Sequence, residues 1–266
     1  MSAPDKPRTA RERARIEFTA EIKAVARRQL AESGAAALSL RAVARELGLA
    51  SASALYRYFP GRDALLTALV LDGYTSLGDA AEAAWATQDT AGTTDAADTV
   101  EGERADALER WVGLCHAVRD WALAHPHEYA LIHGSPVPGY SAPQDTVAQA
   151  TRLPYLIGAL FTDRLGQHGP HGADTPPTVP DDTRPAMPDS GPAMPDDARR
   201  SLAPLLSALP PHTPPDVVMS ALMAWTYLLG AVSFELFGHR REIIADPRAF
   251  FDHEVRRLGT ALGLTA

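Results

Sequence analysis

Residues 38–70 read LSLRAVARELGLASASALYRYFPGRDALLTALV, and this stretch decides the expected fold. Ser39 is a suitable N-cap for a helix over residues 40–47, in which apolar residues recur on one face. Gly48 follows that helix and, because glycine tolerates a positive φ, it permits a tight turn. The stretch therefore begins with one short helix that ends in a sharp change of direction.

A third short helix is predicted after this turn. Ser51 and Ser53 are both suitable caps for its start, and a Pro-Gly pair after Tyr58 separates it from a fourth helix that opens at Arg62. A longer helix is predicted over residues 11–33. Two short helices that meet at a glycine turn have the spacing of a helix-turn-helix.

The other segments are also predicted to be helical, so the expected fold is all-α. Alanine is abundant, and no run of alternating β-branched residues is present. Polar residues 87–103 are expected to form a loop, and residues 145–165 a helix. Residues 166–197 contain eight prolines and a repeated PAMPD, a composition typical of disorder. The predicted domains are a basic flexible arm over 1–15, a three-helix helix-turn-helix domain over 16–62, a connecting helix over 63–80 and a larger helical domain over 81–266.

The segment 216–237 is apolar and nearly long enough to cross a bilayer. Ser220, Thr226, Ser233 and Glu235 interrupt it, and no Lys/Arg cluster flanks its start. We expect instead a helix that is buried in a core and in a subunit interface. The candidate dimer contacts are Leu222, Trp225, Leu229 and Phe237.

Charge is distributed unevenly along a chain whose formal net charge is −8. The first 62 residues carry twelve Lys/Arg and six Asp/Glu, whereas the remainder carries thirteen and twenty-seven. A basic N-terminal quarter on an acidic protein indicates a polyanionic partner for that quarter. On charge alone, chance unevenness on solvated helices remains the alternative.

Composition and motifs also narrow the class of protein. The single cysteine, Cys115, excludes an intramolecular disulfide framework, and the N-terminal segment lacks the apolar stretch of a secretory signal, so a cytoplasmic location is expected. None of the common phosphate-binding, dinucleotide-binding, nucleophile-elbow or zinc-protease motifs occurs. His125 and His127 have no third ligand at useful spacing. We therefore expect no enzymatic activity, no metal and no cofactor.

The stretch 38–70, with its aromatic LY-x-x-F pattern, resembles the DNA-binding domain of TetR-family transcriptional regulators. The resemblance extends back through IKAVARRQLAESG at 22–34. Farther on, RDWALAHPHEYALIHGSPVPGY at 119–140 and WTYLLGAVSFELFG at 225–238 resemble the C-terminal ligand-binding domain, of the WHG kind, of an actinobacterial-type branch of that family.

The resemblance implies a homodimeric repressor that releases a palindromic operator when a small molecule binds the larger domain. Dimeric helix-turn-helix proteins meet half-sites roughly 34–36 Å apart. The alternative is an architectural DNA-binding protein that responds to no effector.

Within this resemblance, Arg41 and Arg57 are the long donors expected to reach base edges or backbone. Tyr56 and Tyr58 are expected to bond phosphates through their hydroxyls, although packing of the Tyr56 ring against the first helix is an equal alternative. Arg62 is expected to hold a phosphate at the start of the fourth helix. The remaining candidates for DNA contact are Ser51, Ala52 and Ser53 in the third helix and Arg8, Arg11 and Arg15 in the arm.

Such a surface is expected to make few base-specific contacts with DNA. Serine is permissive toward bases and alanine can only contact a thymine methyl group. Some specificity is therefore expected from the basic arm, by phosphate or minor-groove contacts, although a solvated tail is an equal alternative. Six residues separate Gly48 from Leu55, where the family usually has five, and we expect the turn to take up the additional one.

Aromatic and polar residues of the larger domain are candidates for an effector pocket. They are Trp111, Trp121, Tyr129, His133 and Tyr155, and the SPVPGY turn that follows His133 is expected to border the same pocket. Nothing in these residues identifies the effector.

Overall fold

The computed structural model describes residues 9–91, 100–166, 194–210 and 213–264. These residues form helices and contain no strand, so the expected all-α class is confirmed. The helices are α1 (Ala10–Ala37), α2 (Leu40–Glu46), a 3₁₀ helix (Ala52–Arg57), α3 (Arg62–Ala91), α4 (Val100–Ala124), α5 (Pro126–His133), a second 3₁₀ helix (Gln144–Thr146), α6 (Val147–Ala150), α7 (Arg152–Gly166), α8 (Asp196–Ser201), α9 (Ala203–Leu206), α10 (Pro215–Leu236) and α11 (Pro247–Ala261).

Three predicted segments differ from the structure. The loop expected over 87–103 is wrong at both ends, because α3 continues to Ala91 and α4 begins at Val100. Alanine and glutamate favour helix even where apolar periodicity is absent. The disorder expected over 166–197 lies mostly outside the described residues, and at its end α8 already begins at Asp196. The helix expected over 145–165 is interrupted at Thr151, whose hydroxyl donates to the Val147 carbonyl at 2.9 Å.

The start of α1 is fixed by a capping box. The Thr9 hydroxyl accepts from the Glu12 amide at 3.2 Å, and the Glu12 carboxylate accepts from the Thr9 amide at 2.7 Å. Residues 10–15 of the predicted flexible arm are therefore helical, whereas residues 1–8 lie outside the described residues. Near its other end α1 is kinked at Gly34, which has a φ of +74°.

The chain divides into two compact units. The first contains the residues up to Ala80 together with Val118–Arg152, a segment that the sequence-based division placed in the larger domain. Its core is formed by apolar side chains from α1, α2, the first 3₁₀ helix and α3. This core lies between the helices of the helix-turn-helix and the helices that flank them, and we call residues 9–72 the head. The core residues are Ile22, Val25, Ala26, Leu30, Leu38, Leu40, Val43, Ala44, Leu55, Phe59, Leu65, Leu66 and Leu69.

The second unit contains Ala81–Ala117 and the residues from Leu153 onward. In it Trp111 is fully buried, and its indole N–H donates to the Val255 carbonyl of α11 at 2.8 Å. Gly259 of α11 makes this packing possible, because a Cβ there would lie 2.8 Å from the Trp111 ring. Beside this contact, the Asp252 carboxylate pairs with His116 at 3.0 Å, and the imidazole and Arg256 hold the pKa of that carboxyl below its usual value.

Candidate nucleic-acid interface

The turn after α2 is built as a Schellman motif around Gly48. The Leu49 amide donates to the Ala44 carbonyl at 2.9 Å, and the Gly48 amide donates to the Arg45 carbonyl at 3.1 Å. Gly48 has a φ of +70°, a conformation that side chains other than glycine rarely adopt. At the other end of α2, the Ser39 hydroxyl accepts from the Ala42 amide at 3.1 Å, as the N-cap prediction required.

The segment that follows the turn is a 3₁₀ helix of six residues and not an α-helix. Of the two possible caps, Ser51 occupies the position, with its hydroxyl 3.4 Å from the Ser53 amide and 2.5 Å from the Ser53 hydroxyl. Leu55 is fully buried and, with Phe59, anchors the segment in the head core. The expectation that the turn takes up the additional residue remains a prediction.

The exposed side of this segment has few side chains that could contact DNA bases. Ser51, Ser53 and Arg57 are exposed, Ala52 is half-buried, and the Tyr56 side chain is 51% exposed. Ring packing of Tyr56 against α1, which was weighed as the alternative to a phosphate contact, is therefore not its principal environment. The surface offers short hydroxyls, a phenol and one guanidinium to a ligand.

Tyr58, and not Tyr56, is the tyrosine that packs on α1. Its ring meets Phe18 edge-on, with ring centroids 5.1 Å apart, and the Arg15 guanidinium lies 5.9 Å from the ring centroid. Arg11 and Arg15 are one helical turn apart on the same face of α1. The basic start of α1 is thereby placed against the end of the 3₁₀ helix.

Exposed arginines without carboxylate partners occur on α1, on α2 and on the first 3₁₀ helix. Within the described residues, Arg11, Arg13, Arg41, Arg45 and Arg57 are exposed and form no ion pair. By contrast, the Arg28 guanidinium pairs with Glu46 at 2.7 Å. Arg8 lies outside the described residues. The free arginines leave a net positive surface on the helix-turn-helix, which is suited to a polyanion.

Arg45 is a candidate that the sequence reasoning missed. It lies one turn after Arg41 on the same face of α2, and both side chains are exposed. The spacing of the two arginines, four residues apart, was visible in the sequence. The spacing could be interpreted once Leu40, Val43 and Ala44 of α2 were seen to be buried and the two arginines to be exposed.

Arg62 has a different role from the one expected. Its guanidinium donates to the Leu38 carbonyl at 3.1 Å and to the Ala35 carbonyl at 3.0 Å, and it pairs with Asp63 at 3.3 Å. These carbonyls belong to Ala35, at the end of α1 beyond the kink, and to the C-cap Leu38, whose amide also donates to the Ala35 carbonyl at 3.4 Å. The side chain thus fastens the α1–α2 connection to the start of α3, so the contacts do not support the predicted phosphate grip.

A second charged cluster joins three helices within the first unit. Asp72 of α3 accepts from Lys23 at 2.7 Å and from Arg27 at 2.5 Å, and both donors belong to α1. The Arg27 guanidinium also lies 3.5 Å from Glu128 of α5. Two head cations are therefore neutralised by acidic residues and contribute little to a DNA-binding field.

The five candidates for an effector pocket occupy unlike environments. Trp111 is a core residue of the second unit, and Tyr155 is 64% exposed. Trp121 donates from its indole to the Ser76 hydroxyl at 2.9 Å and stacks on His125. Tyr129 and His133 are in direct contact, with ring centroids 5.2 Å apart.

His133 is the most distinctive of these side chains. Its Nε2 atom is buried and has no hydrogen-bond partner in the described part of the chain, and its ring meets Tyr74 edge-on at 5.9 Å. Burial lowers the pKa of this imidazole to about 4, so it is neutral at physiological pH. The SPVPGY turn that follows was expected to border a pocket, but its Val137 and Tyr140 pack against the head core.

α10 keeps much of its apolar surface uncovered. Only 28% of its most apolar window is buried, and it is the one described helix long and apolar enough to cross a membrane by length and composition. Of the predicted dimer contacts, Leu222, Trp225 and Leu229 are half-buried and Phe237 is exposed. Large exposed apolar side chains are Met223 and Phe234 on α10 and Phe237 at its C-cap.

A capped helix, a Schellman turn and a short exposed segment, with free arginines on the same elements, are the features of a helix-turn-helix DNA-binding protein. No group of three metal-ligating side chains is present among the described residues. Residues 22–69 match the family described as bacterial regulatory proteins, tetR family, and residues 111–258 match the description tetracyclin repressor-like, C-terminal domain.

Known proteins similar over most of the chain agree with this assignment. HTH-type transcriptional regulators of Mycobacterium tuberculosis and Mycobacterium bovis are 37% identical to the chain over 253 residues, covering 94% of each sequence. A crystal structure of a protein named as a regulatory protein, SCO4313, has 33% identity and a TM-score of 0.67, covering 95% of this chain and 98% of that one. A tetR-family regulatory protein from Rhodococcus shares the fold at a TM-score of 0.51 and 17% identity, covering 92% of this chain and 96% of that one.

The chain belongs to the TetR family of transcriptional regulators. It is a DNA-binding helix-turn-helix regulator and not an enzyme, as the sequence indicated.

Proposed function

We propose that this protein is an effector-responsive repressor that binds a palindromic operator as a homodimer in the cytoplasm. The observation that carries the DNA-binding part is the exposed segment Ser51–Arg57, which buries Leu55 and turns its serines, Tyr56 and Arg57 toward solvent. Because Leu55 anchors the segment in the head core, these polar groups are held in place before DNA arrives.

Arg57 is the proposed base-reading residue, and Arg41 and Arg45 are proposed backbone contacts. A bidentate arginine–guanine contact contributes about 1–3 kcal/mol of discrimination, whereas the serine and alanine positions contribute little. Arg11 and Arg15 extend the basic surface from the face of α1 that packs on Tyr58. The operator is accordingly expected to tolerate variation at several positions.

The dimer is proposed to form through α10 and α11. α10 has exposed apolar side chains, and Phe250 of α11 is a further exposed apolar side chain. Complete burial of such a side chain contributes roughly 1.5–3 kcal/mol, so covering this surface by a second copy favours association. The interface is centred on Met223, Phe234 and Phe237 rather than on the half-buried residues first expected.

The proposed effector contact is the pair Tyr129–His133. A buried, neutral imidazole nitrogen without a partner is costly unless a ligand or water bonds it. Trp111 is excluded from this role because its indole is already satisfied within the second unit.

The DNA-binding proposal is tested by selecting sequences from a random duplex pool with the full chain and then measuring affinity against salt. Arg57→Ala is expected to weaken binding and to relax the preference at one position of each half-site. Arg28→Ala is the matched control, because Arg28 is also an exposed head arginine but is paired with Glu46. Recovery of no common sequence, or equal losses for the two variants, would contradict the proposal.

The effector part is tested separately on the selected operator. Titration of the complex with cell extracts and compound libraries is expected to release the DNA, and His133→Gln is expected to alter the concentration needed. A complex that no extract or compound releases would favour an architectural DNA-binding protein instead.

A further inference from the structure

The loop after α5 contains a preorganised turn at Val137–Tyr140. The Tyr140 amide donates to the Val137 carbonyl at 3.1 Å, and Gly139 between them has a φ of +75°. Proline at the second position and a glycine with positive φ at the third are the preferences of a type II turn. Because Pro138 and Gly139 already favour this conformation, little chain entropy is lost when the turn docks on a surface.

Both ends of this turn contact the head. The Tyr140 hydroxyl lies 3.0 Å from the Thr67 hydroxyl of α3, a contact between residues 73 positions apart. Val137 and Tyr140 also pack against the head core. In the sequence of α3, Thr67 is placed between Leu66 and Leu69, which belong to the head core. The hydrogen bond therefore joins the turn to a helix that contributes side chains to this core.

A second contact holds the same helix farther along. The Tyr74 hydroxyl donates to the Ile132 carbonyl at 3.2 Å, near the end of α5. Gly73 allows this approach, since a Cβ there would lie 3.2 Å from an Ile132 methyl group. Thr67 and Tyr74 are seven residues apart and therefore lie on one face of α3, about two turns from each other.

We propose that the Val137–Tyr140 turn is a strap that holds the head in its DNA-binding arrangement, with Tyr140 and Thr67 as positioning residues for operator binding. The inference rests on the proposed operator-binding function and adds the residues that set its affinity. The strap lies inside the segment that matches the family's C-terminal domain, yet it packs with the head in one compact unit. It thus fastens the residues that carry the Tyr129–His133 pair to the helix-turn-helix.

The strap raises affinity because it reduces the conformational freedom that the head must lose on DNA. A hydrogen bond of this kind changes an equilibrium by about three- to tenfold. Tyr140→Phe, which keeps the ring packing, and Thr67→Val are each expected to weaken operator binding by that factor. The double variant is expected to be no weaker than either single variant, since both remove the same bond.

The test compares the full-length variants on the operator selected with the unchanged protein, at a temperature well below unfolding. Thr67→Ser is expected to retain affinity because it keeps the hydroxyl, and Tyr155→Phe is the control for loss of a phenol, since Tyr155 is mostly exposed. A role limited to stability would lower the Tm of Tyr140→Phe and leave the Kd of the folded protein unchanged. That result, or tighter binding, overturns the inference.

Amide hydrogen exchange gives a readout that does not depend on DNA. Tyr140→Phe is expected to speed exchange in residues 52–72, whereas the helices of the second unit stay unchanged. If the unchanged protein selects no operator, the proposed function fails, and exchange still decides whether the strap restrains the head. If the operator is bound but both affinity and exchange are insensitive to Tyr140→Phe, only the strap is refuted.

Discussion

Substitution of Arg62 separates a structural role from a DNA-contacting one. The guanidinium donates two hydrogen bonds to main-chain carbonyls of the α1–α2 connection, and its side chain is 28% exposed. Hydrogen bonds from charged donors contribute about 1.5–3 kcal/mol each, and we take about 1 kcal/mol for each, below that range, because water can partly replace this partly exposed group. Arg62→Ala is therefore expected to lower the free energy of unfolding by about 2 kcal/mol in total.

For a chain of this size, such a loss corresponds to a decrease in Tm of about 4–8 °C, measured by circular dichroism. The dependence of operator affinity on salt is expected to keep its slope, because no phosphate contact is removed. Arg57→Ala is expected to leave the Tm unchanged and to weaken operator binding by removing a direct contact with DNA. Arg62→Lys keeps the charge but cannot bridge both carbonyls with a planar fork, so it is expected to have an intermediate Tm.

A phosphate contact would behave differently in the same two assays. It would reduce the salt slope by about 1 in Arg62→Ala, leave the Tm nearly unchanged, and be largely preserved by lysine. That combination of results would refute the structural role assigned to Arg62.

Three further outcomes follow from single contacts. Because folding lowers the pKa of His133 to about 4 from an ordinary 6.5, the unfolded chain takes up this proton first, and stability is lost as pH falls from 6.5 toward 4. Urea titrations at several pH values should show that the free energy of unfolding of His133→Gln decreases by about 3 kcal/mol less over this pH range than that of the unchanged protein. The same pH dependence in both proteins would contradict the burial of a neutral His133. Gly259→Ala places a Cβ 2.8 Å from the Trp111 ring and is expected to cost about 1–3 kcal/mol by thermal melting, whereas Gly158→Ala, with open space around it, should be neutral or stabilising. Met223→Glu is expected to convert the dimer into a monomer by light scattering at micromolar concentration, and an unchanged dimer would move the interface away from α10.

Most of the head could be predicted from the sequence because its signals are local. Ser39 as a cap and Gly48 as a positive-φ turn each depend on a few neighbours in the chain. The choice between Ser51 and Ser53 could not be made, because both hydroxyls suit an N-cap. The 3₁₀ geometry also gave no signal, since it differs from an α-helix in one hydrogen-bond register.

The role of Arg62 could not be predicted because its partners are carbonyl oxygens, which every residue has. Nothing in the side chains of Ala35 or Leu38 marks those carbonyls as acceptors for an arginine more than twenty residues away. The different contacts of Tyr56 and Tyr58 could not be predicted for another reason. Tyr58 rather than Tyr56 meets Phe18, and this depends on the exact rotation of the six-residue 3₁₀ helix that ends at Arg57.

Because the segment Ser51–Arg57 has few long side chains, the contacts that hold it in place are expected to have a large effect on operator affinity. Where several strong base contacts are available, a small displacement of the head is offset by the remaining contacts. Here Arg57 is the one long basic side chain on the segment Ser51–Arg57, so its placement depends on Leu55, on the connection fastened by Arg62 and on the Tyr140 strap. Substitution of Tyr140, distant from the DNA surface, is therefore expected to weaken operator binding by about three- to tenfold, which is comparable to the lower part of the range expected for the loss of Arg57.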